Sequence, residues 1–274
     1  MRLGITDAVK HLLIINVIMF IGKIYIGQGL LFDEWFTMYF PSNDLFKPWQ
    51  VITHMFMHGD GMHLLFNMFA LWMFGTPVEQ RLGTKKFLFI YFSAGFGALL
   101  FQLGYYYIDF FPQMQEIASL NINKDLLNDI LNIDAFRNNA YQPQIFIDAA
   151  NEKFRLANFT GSTLTDPQTY ALIEMNITTQ SGMLGASGCI MGILAAFGMM
   201  NPNAKLMMIF LPIPIKAKYF IPGIIILDII SAFTGQSFFS PSNTAYMAHV
   251  GGAVVGFLIM WFWRKNSMDK YRWN

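Results

Sequence analysis

A serine and a histidine, each inside an apolar stretch, are the residue types that nucleophilic catalysis uses. Ser187 lies in the sequence Gly185-Ala186-Ser187-Gly188, where small neighbours leave its hydroxyl group and its backbone N–H accessible. A nucleophile needs that access. Taken alone, the motif is more typical of close helix packing, because Gly, Ala and Ser line helix contacts in membranes generally. The serine indicates catalysis only if a base lies within its reach.

The histidine lies in the sequence Ala248-His249-Val250-Gly251-Gly252, which continues to Gly256. An ionisable side chain within a membrane span is costly to bury, and by default it indicates function. Steps of three and four residues place His249, Gly252 and Gly256 on one face of a helix. A comparable smooth face on the serine's helix consists of Ser187 or Gly188, Gly192, and Ala195 or Ala196. These two faces predict close packing of the two helices.

Close packing would bring the His249 imidazole within reach of the Ser187 hydroxyl group. In such a pair the imidazole removes the hydroxyl proton during attack on a carbonyl carbon, and later gives a proton to the leaving amine. The pair therefore predicts peptide-bond hydrolysis through an acyl-enzyme. The alternative is a histidine that only bonds a backbone carbonyl group.

A second histidine and an asparagine lie four residues apart in His63-Leu64-Leu65-Phe66-Asn67. This spacing places both side chains on the same helix face, one turn apart. Both side chains donate hydrogen bonds, and donors of this kind stabilise the oxyanion of peptide hydrolysis by about 3–4 kcal/mol each. We predict that His63, Asn67 and the backbone N–H of Ser187 form an oxyanion hole.

Other chemistry has less support in the sequence. His54, His58 and His63 suggest a metal site, but no Glu lies in an HExxH arrangement. We therefore expect no metal ion and no cofactor. The formal net charge is +1 and no run of Lys and Arg is present, so nucleic acid is not an expected partner. Cys189 is the single cysteine, which excludes an intrachain disulfide.

The elements that position these residues are apolar helices. The chain is 54% hydrophobic and 13% charged, a balance typical of a membrane protein. A spanning helix needs about 20 mostly apolar residues. Six stretches approach that length: Ala8–Ile26, Gly61–Gly75, Phe87–Ile108, Met183–Met200, Tyr219–Phe233 and Ala245–Trp263. We predict an all-α membrane protein in which residues 1–274 form one membrane domain with six transmembrane helices.

Lys and Arg residues near the ends of these stretches predict the orientation. If the helices alternate in direction, one side of the membrane receives Arg2, Lys10, Arg81, Lys85, Lys86, Lys205, Lys216, Lys218, Arg264, Lys265, Lys270 and Arg272. That side should be cytoplasmic, which places both termini in the cytoplasm, and we expect a bacterial inner membrane. The acidic connection Asp109–Gly182 is then an external insertion between the third and fourth helices.

The insertion is too apolar for a plain linker. Leu126, Leu127, Ile130 and Leu131 lie at helical spacing, and Gln144 to Leu156 has a similar pattern. We predict short amphipathic helices that form a small soluble subdomain.

Taken together, the motifs resemble those of the rhomboid family of intramembrane serine proteases. The matching segments, in the family's order, are His63 with Asn67, Glu79-Gln80-Arg81-Leu82-Gly83, Gly185-Ala186-Ser187-Gly188, and Ala248-His249 with Gly252 and Gly256. The resemblance runs from about Trp49 to Trp263, except for the insertion. Several separated motifs in one order make it specific.

The resemblance implies a six-helix bundle with the serine below the outer membrane surface, in a water-filled cavity. It implies that Ser187 and His249 form a dyad without an aspartate, and that His63 and Asn67 support the oxyanion. The implied substrates are single-pass transmembrane proteins with small residues at the cleaved bond. The implied partners are therefore membrane proteins and the lipid bilayer.

The sequence departs from the family at two positions. Gln50 follows Trp49 where the family often has an arginine, so the ion pair or phosphate contact of that arginine is not expected here. Met191 stands one helical turn after Ser187, where an aromatic residue commonly packs against the catalytic histidine. Histidine orientation is therefore expected to be looser. Glu79 and Arg81 lie on the cytoplasmic side and are predicted to be structural.

Asp228, in the fifth predicted span, has no role that the sequence or the resemblance defines. Nothing in the sequence places it beside His249, so we interpret it as a polar residue of the outer half with an unnamed hydrogen-bond partner. Two other functions remain. One is a proteolytically silent rhomboid relative that binds membrane clients. The other is a small transporter with Asp228 and His249 as an ion relay, which the lack of an evident internal repeat disfavours.

Overall fold

Helices make up most of the chain. The structure is a computed structural model that describes residues 4–137, 140–159, 164–208, 211–238 and 245–269. In chain order the elements are α1 (Asp7–Tyr25), α2 (Leu30–Phe36), α3 (Gln50–Thr53), α4 (Gly61–Ala70), α5 (Thr76–Leu82), α6 (Thr84–Ile117), α7 (Lys124–Leu131), β1 (Phe136–Arg137), β2 (Ala140–Tyr141), α8 (Pro143–Leu156), α9 (Asp166–Gln180), α10 (Ser187–Met200), β3 (Lys205–Met208), β4 (Leu211–Lys216), α11 (Ala217–Thr234) and α12 (Tyr246–Asp269). β1 pairs with β2, and β3 with β4, as antiparallel hairpins that the all-α prediction missed.

Within the described ranges, four helices are long and apolar enough to cross a membrane: α1, α6, α11 and α12. α10 is apolar but has 14 residues. The predicted span Gly61–Gly75 is also helical, but α4 ends at Ala70 and a π-helical turn, Leu71–Gly75, connects it to α5. These four helices confirm the prediction of a helical chain with several candidate membrane spans. That the chain crosses the membrane six times stays a prediction.

One compact unit, here called the membrane unit, is drawn from the ranges Met1–Phe36, Val51–Gln102 and Leu184–Asn274. Its core is apolar and contains fully buried side chains from α1, α6 and α10, among them Val9, Phe87, Ile90 and Ile193. The helices of this core approach closely at four glycines and one alanine: Ala94, Gly188, Gly192, Gly252 and Gly256.

Small residues bring α10 against α12 on one side and α6 on the other. A Cβ atom added at Gly252 would lie 2.0 Å from the carbonyl oxygen of Gly188, and one added at Gly256 would lie 2.3 Å from that of Gly192. On the other side, a Cβ atom at Gly192 would lie 2.2 Å from the Cβ atom of Ala94. No side chain fits at such distances. The predicted packing of the two smooth faces is confirmed.

Glu79 has a structural role in the membrane unit, as predicted. Its buried carboxylate accepts hydrogen bonds from the hydroxyl groups of Thr6 and Thr84 and from the backbone N–H groups of Ala8 and Val9. Burial alone would raise the pKa of Glu79, but these hydrogen bonds lower it below its ordinary value. The carboxylate satisfies the first N–H groups of α1, which have no partners within that helix.

The second compact unit, the insertion unit, consists of Thr37–Gln50 and Leu103–Met183. The two helices predicted from apolar spacing are present as α7 and α8, and they share a core with α9 through Leu126, Ile130, Phe146 and Leu172. α9 was not predicted, although Thr165 and Gln168 form a capping box at its start. The buried Asn176 donates to the carbonyl groups of Leu131 and Ile133, linking α9 to the end of α7.

Candidate active site

Ser187 is the first residue of α10, directly after a turn that requires glycine. Gly185 has a φ angle of 124°, in the region that favours glycine, and its N–H donates to the carbonyl oxygen of His54 at 2.9 Å. This hydrogen bond fixes the segment that leads into the helix. The first N–H groups of a helix have no partners within it, so the backbone N–H of Ser187 can bind an oxyanion.

His249 lies in the first turn of α12, and its side chain is almost fully buried. The backbone N–H of the preceding residue, Ala248, donates to the Gln102 side-chain oxygen at 3.2 Å. Gln102 is a buried residue of α6 that the sequence reasoning missed. Its position could have indicated a role, because an amide side chain within the predicted span Phe87–Ile108 needs a hydrogen-bond partner.

Helix packing brings the residues next to the predicted serine and histidine, Gly188 and Ala248, close together. A Cβ atom added at Gly188, which follows Ser187, would lie 3.6 Å from the carbonyl oxygen of Ala248, which precedes His249. One turn further along α12, Gly252 also packs against the Gly188 backbone. The two residues that flank the predicted pair along the chain therefore lie close together across the helix interface.

His63 approaches the serine from α4. Its Nδ1 atom accepts a hydrogen bond from the Gly59 N–H at 3.4 Å, so the neutral ring carries its proton on Nε2. A Cβ atom added at Gly185 would lie 2.9 Å from His63 Nε2 and 3.7 Å from Ser187 Oγ. The Nε2–H group therefore faces the space beside the serine hydroxyl.

Two polar side chains surround His63. Asn67 lies one turn further along α4 and is buried, and its Nδ2 atom has no hydrogen-bond acceptor among the residues that the structure describes. His58 is fully buried and packs edge-to-face on the His63 ring, with ring centroids 5.0 Å apart. Burial lowers the pKa of His58 to about 3, and His63 adds to this effect, so His58 is neutral near pH 7.

Asp228 has a partner that the sequence analysis did not name. It lies on the buried face of α11 together with Ile221, Ile224 and Ser231, and it is itself fully buried. Its Oδ2 atom is 2.9 Å from the Nδ1 atom of His249. Asp228 was interpreted as a polar residue with an unnamed partner that nothing placed beside His249, and the structure corrects that interpretation. The sequence did contain a signal for such a partner. A carboxylate within a span costs much free energy, and no basic residue lies near Asp228 in the sequence, so a partner on another helix was to be expected.

Comparison with known proteins agrees with the motifs. Residues 45–108 and 153–266 match the rhomboid domain family, and together they make up more than half of the chain. The chain belongs to the rhomboid family. Rhomboid protease GlpG from Salmonella newport (strain SL254) and from Salmonella heidelberg (strain SL476) are each 38% identical to this rhomboid over 71 residues. That match covers 24% of this chain and only 26% of each relative's length.

The family match includes every predicted site residue of this rhomboid. Ser187, His249, His63 and Asn67 all lie within the matched ranges, whereas most of the insertion, residues 109–152, lies outside them. Met191 is buried in α10 at the position where the resemblance implies an aromatic residue against the histidine. His249 has instead the carboxylate of Asp228 at its Nδ1 atom.

Proposed function

We propose that this rhomboid is an intramembrane serine endopeptidase, with Ser187 as nucleophile and His249 as general base. Its substrates are transmembrane segments of other membrane proteins. The observation that carries the proposal is the close approach of Gly188 to Ala248, where a Cβ atom added at Gly188 would lie 3.6 Å from the Ala248 carbonyl oxygen, because this approach supports a serine hydroxyl that faces the histidine ring. A helical substrate hides its carbonyl groups in hydrogen bonds, so local unwinding precedes attack.

The reaction has two halves. In the first, Ser187 Oγ bonds to the substrate carbonyl carbon while its proton moves to His249 Nε2. The peptide C–N bond then breaks, the Nε2 proton passes to the leaving amine, and an ester remains on Ser187. In the second half, water attacks the ester carbon and gives a proton to His249 Nε2. That proton returns to Ser187 Oγ as the carboxylic acid product leaves.

Three hydrogen-bond donors support stabilisation of the oxyanion in both halves of the proposed reaction. The His63 Nε2–H group faces the space beside Ser187 Oγ, and the Ser187 N–H lies at the start of α10. The Asn67 carboxamide has an N–H group without an acceptor in the described part of the chain. A buried donor of this kind costs free energy in the resting protein, and an oxyanion would satisfy it.

Replacement of either side-chain donor should slow cleavage without abolishing it. His63→Ala and Asn67→Ala should each lower kcat by roughly 10- to 1,000-fold and change KM much less, because a donor to the oxyanion acts mainly in the transition state. Leu65→Ala is the matched control, since Leu65 lies on the same helix and is exposed. Initial rates on a membrane reporter measure the effect. Equal kcat values in the parent protein and both variants would refute the oxyanion roles.

We further propose that the chain spans a bacterial inner membrane six times, with both termini cytoplasmic and the insertion external. The four long apolar helices and the distribution of Lys and Arg support this topology. A Cys189→Ala background removes the only cysteine, so single cysteines can be added and tested with an impermeant maleimide. In intact cells a cysteine at exposed Tyr170 of the insertion should react, and a cysteine at Ser267 should be protected. The opposite result would reverse the orientation.

Covalent labelling tests the proposed function directly. A fluorophosphonate reagent should modify Ser187 in the purified protein, because only an activated serine reacts at an appreciable rate. Peptide mass spectrometry locates the modified residue, and Ser187→Ala is the control. A silent client-binding relative or a transporter would remain unlabelled. Absence of labelling in a folded parent protein would therefore refute the protease assignment.

A further inference from the structure

We propose that Asp228 is a positioning residue for the proposed reaction, so that this rhomboid acts through a Ser187–His249–Asp228 triad. The inference rests on the proposed function and adds a member to the dyad that the family resemblance implies. Its basis is the distance of 2.9 Å between Asp228 Oδ2 and His249 Nδ1. The carboxylate belongs to α11 and the imidazole to α12, 21 residues apart in sequence.

Both groups are withdrawn from solvent. The Asp228 side chain is 1% exposed and that of His249 is 11% exposed. A carboxylate at such a site is costly unless a hydrogen-bond donor or a positive charge lies beside it. Aliphatic residues fill the neighbouring positions Ile221 and Ile224 on the same face of α11, so packing alone does not require an acid at position 228. The ring of His249 supplies the donor.

The contact selects the protonation site of the imidazole. An ionised carboxylate only accepts hydrogen bonds, so the nitrogen that faces it must carry a proton. In the neutral ring this places the proton on Nδ1 and leaves a lone pair on Nε2. Nε2 is the atom that must accept the proton of the Ser187 hydroxyl group. Asp228 therefore holds His249 in the tautomer that a general base needs.

The same carboxylate acts during the reaction. When the proton of Ser187 Oγ moves to Nε2, the ring becomes a cation with protons on both nitrogens. Asp228 stabilises this cation through the Nδ1–H hydrogen bond and does not take the proton. The Nε2 proton then passes to the leaving amine, and the ring returns to its neutral form. A low-polarity surrounding strengthens this stabilisation.

Asp228 also accounts for how His249 keeps its orientation in this chain. Met191 occupies the place where an aromatic ring would pack on the histidine, and a flexible thioether side chain orients a ring poorly. A hydrogen bond to a carboxylate on a packed helix fixes the ring plane and its direction instead. The alternative is that the pair only links α11 to α12. Under that alternative its loss would reduce stability and leave the reaction rate of the folded protein unchanged.

The test compares Asp228→Asn with the parent protein and with Ser231→Ala. The carboxamide has the size of the carboxylate but lacks its charge, and Ser231 is a buried residue on the same face of α11. For Asp228→Asn we expect the rate constant of fluorophosphonate labelling and kcat to fall by about 10- to 1,000-fold, with KM within about threefold of the parent value. Ser231→Ala should keep parent rates.

Nuclear magnetic resonance provides a readout independent of turnover. With ¹⁵N-labelled histidine, the parent protein should show a strongly downfield Nδ1–H proton that is lost in His249→Ala. This measurement decides the matter even if Asp228→Asn does not fold, because it needs only the parent protein and an assignment variant. Assignment of the His249 proton to Nε2 would overturn the inference.

The outcomes separate this inference from the function on which it rests. A parent protein that labels at Ser187, together with an Asp228→Asn variant that labels equally fast, overturns the triad and leaves the protease assignment intact. An unlabelled, folded parent overturns both. A slow but folded Asp228→Asn variant, with Ser231→Ala at the parent rate, supports the triad.

Discussion

Cleavage of a single-pass membrane reporter should fall by at least about 1,000-fold when Ser187 is replaced with alanine. The variant has no atom that can form the acyl-enzyme. His249→Ala should lose nearly as much activity, because no other group then accepts the hydroxyl proton. The double variant should be little slower than either single variant, since the two side chains act in the same step. Initial rates in liposomes measure all three.

Cys189→Ala is the matched control for these variants. Cys189 is buried in α10 two residues after Ser187, and its replacement also removes a single heavy atom beyond Cβ. The control and Ser187→Ala should unfold within a few degrees of the parent protein, because Ser187 contributes little apolar burial. His249→Ala should be less stable, because it removes the hydrogen-bond donor beside the buried Asp228 carboxylate. Robust cleavage by purified Ser187→Ala would show that the nucleophile lies elsewhere.

Much of the membrane unit could be predicted because its signals are local or periodic. Steps of three and four residues placed Gly252 and Gly256 on one face of a helix, and the structure packs that face against Gly188 and Gly192. Apolar run length located the helices that carry them. Periodicity of this kind survives in a single sequence because each helix repeats the same contact turn after turn.

The carboxylate beside His249 could not be predicted in the same way. Its position depends on how α11 rotates about its axis against α12, and no repeated pattern in the sequence records that angle. Asp228 and Gln102 are single polar residues in apolar helices, so the sequence shows that each needs a partner but not which one. The resemblance to rhomboids pointed away from an aspartate, because the family dyad has none.

The insertion shows a different limit. α7 and α8 have apolar residues at helical spacing, and both were predicted. α9 is mostly buried from Ala171 onward but has no strong apolar stripe, because polar residues such as Asn176 and Thr179 are fully buried in it. A polar residue that is buried by specific hydrogen bonds looks like a surface residue in the sequence.

Adding one methyl group at Gly252 should destabilise the protein by about 3 kcal/mol, at the upper end of typical overpacking costs. The new Cβ atom would lie 2.0 Å from the carbonyl oxygen of Gly188, and backbone atoms within a helix cannot move aside singly. α10 and α12 must separate instead. For a chain of this size we expect the unfolding temperature of Gly252→Ala to fall by roughly 6–12 °C. Tryptophan fluorescence in detergent follows the transition.

Gly223→Ala separates the packing effect from the change in helix propensity. Gly223 is also inside a helix, α11, but a Cβ atom there would have no neighbour within 4 Å. Alanine favours a helix over glycine by about 1 kcal/mol, so this variant should unfold at the parent temperature or slightly above it. If Gly252→Ala unfolded at the same temperature as Gly223→Ala, the close approach of α10 and α12 would be refuted.

The separation of α10 and α12 in Gly252→Ala should also move the His249 ring away from Ser187. Fluorophosphonate labelling of folded Gly252→Ala should therefore be slower than that of the parent protein, while labelling of Gly223→Ala should not.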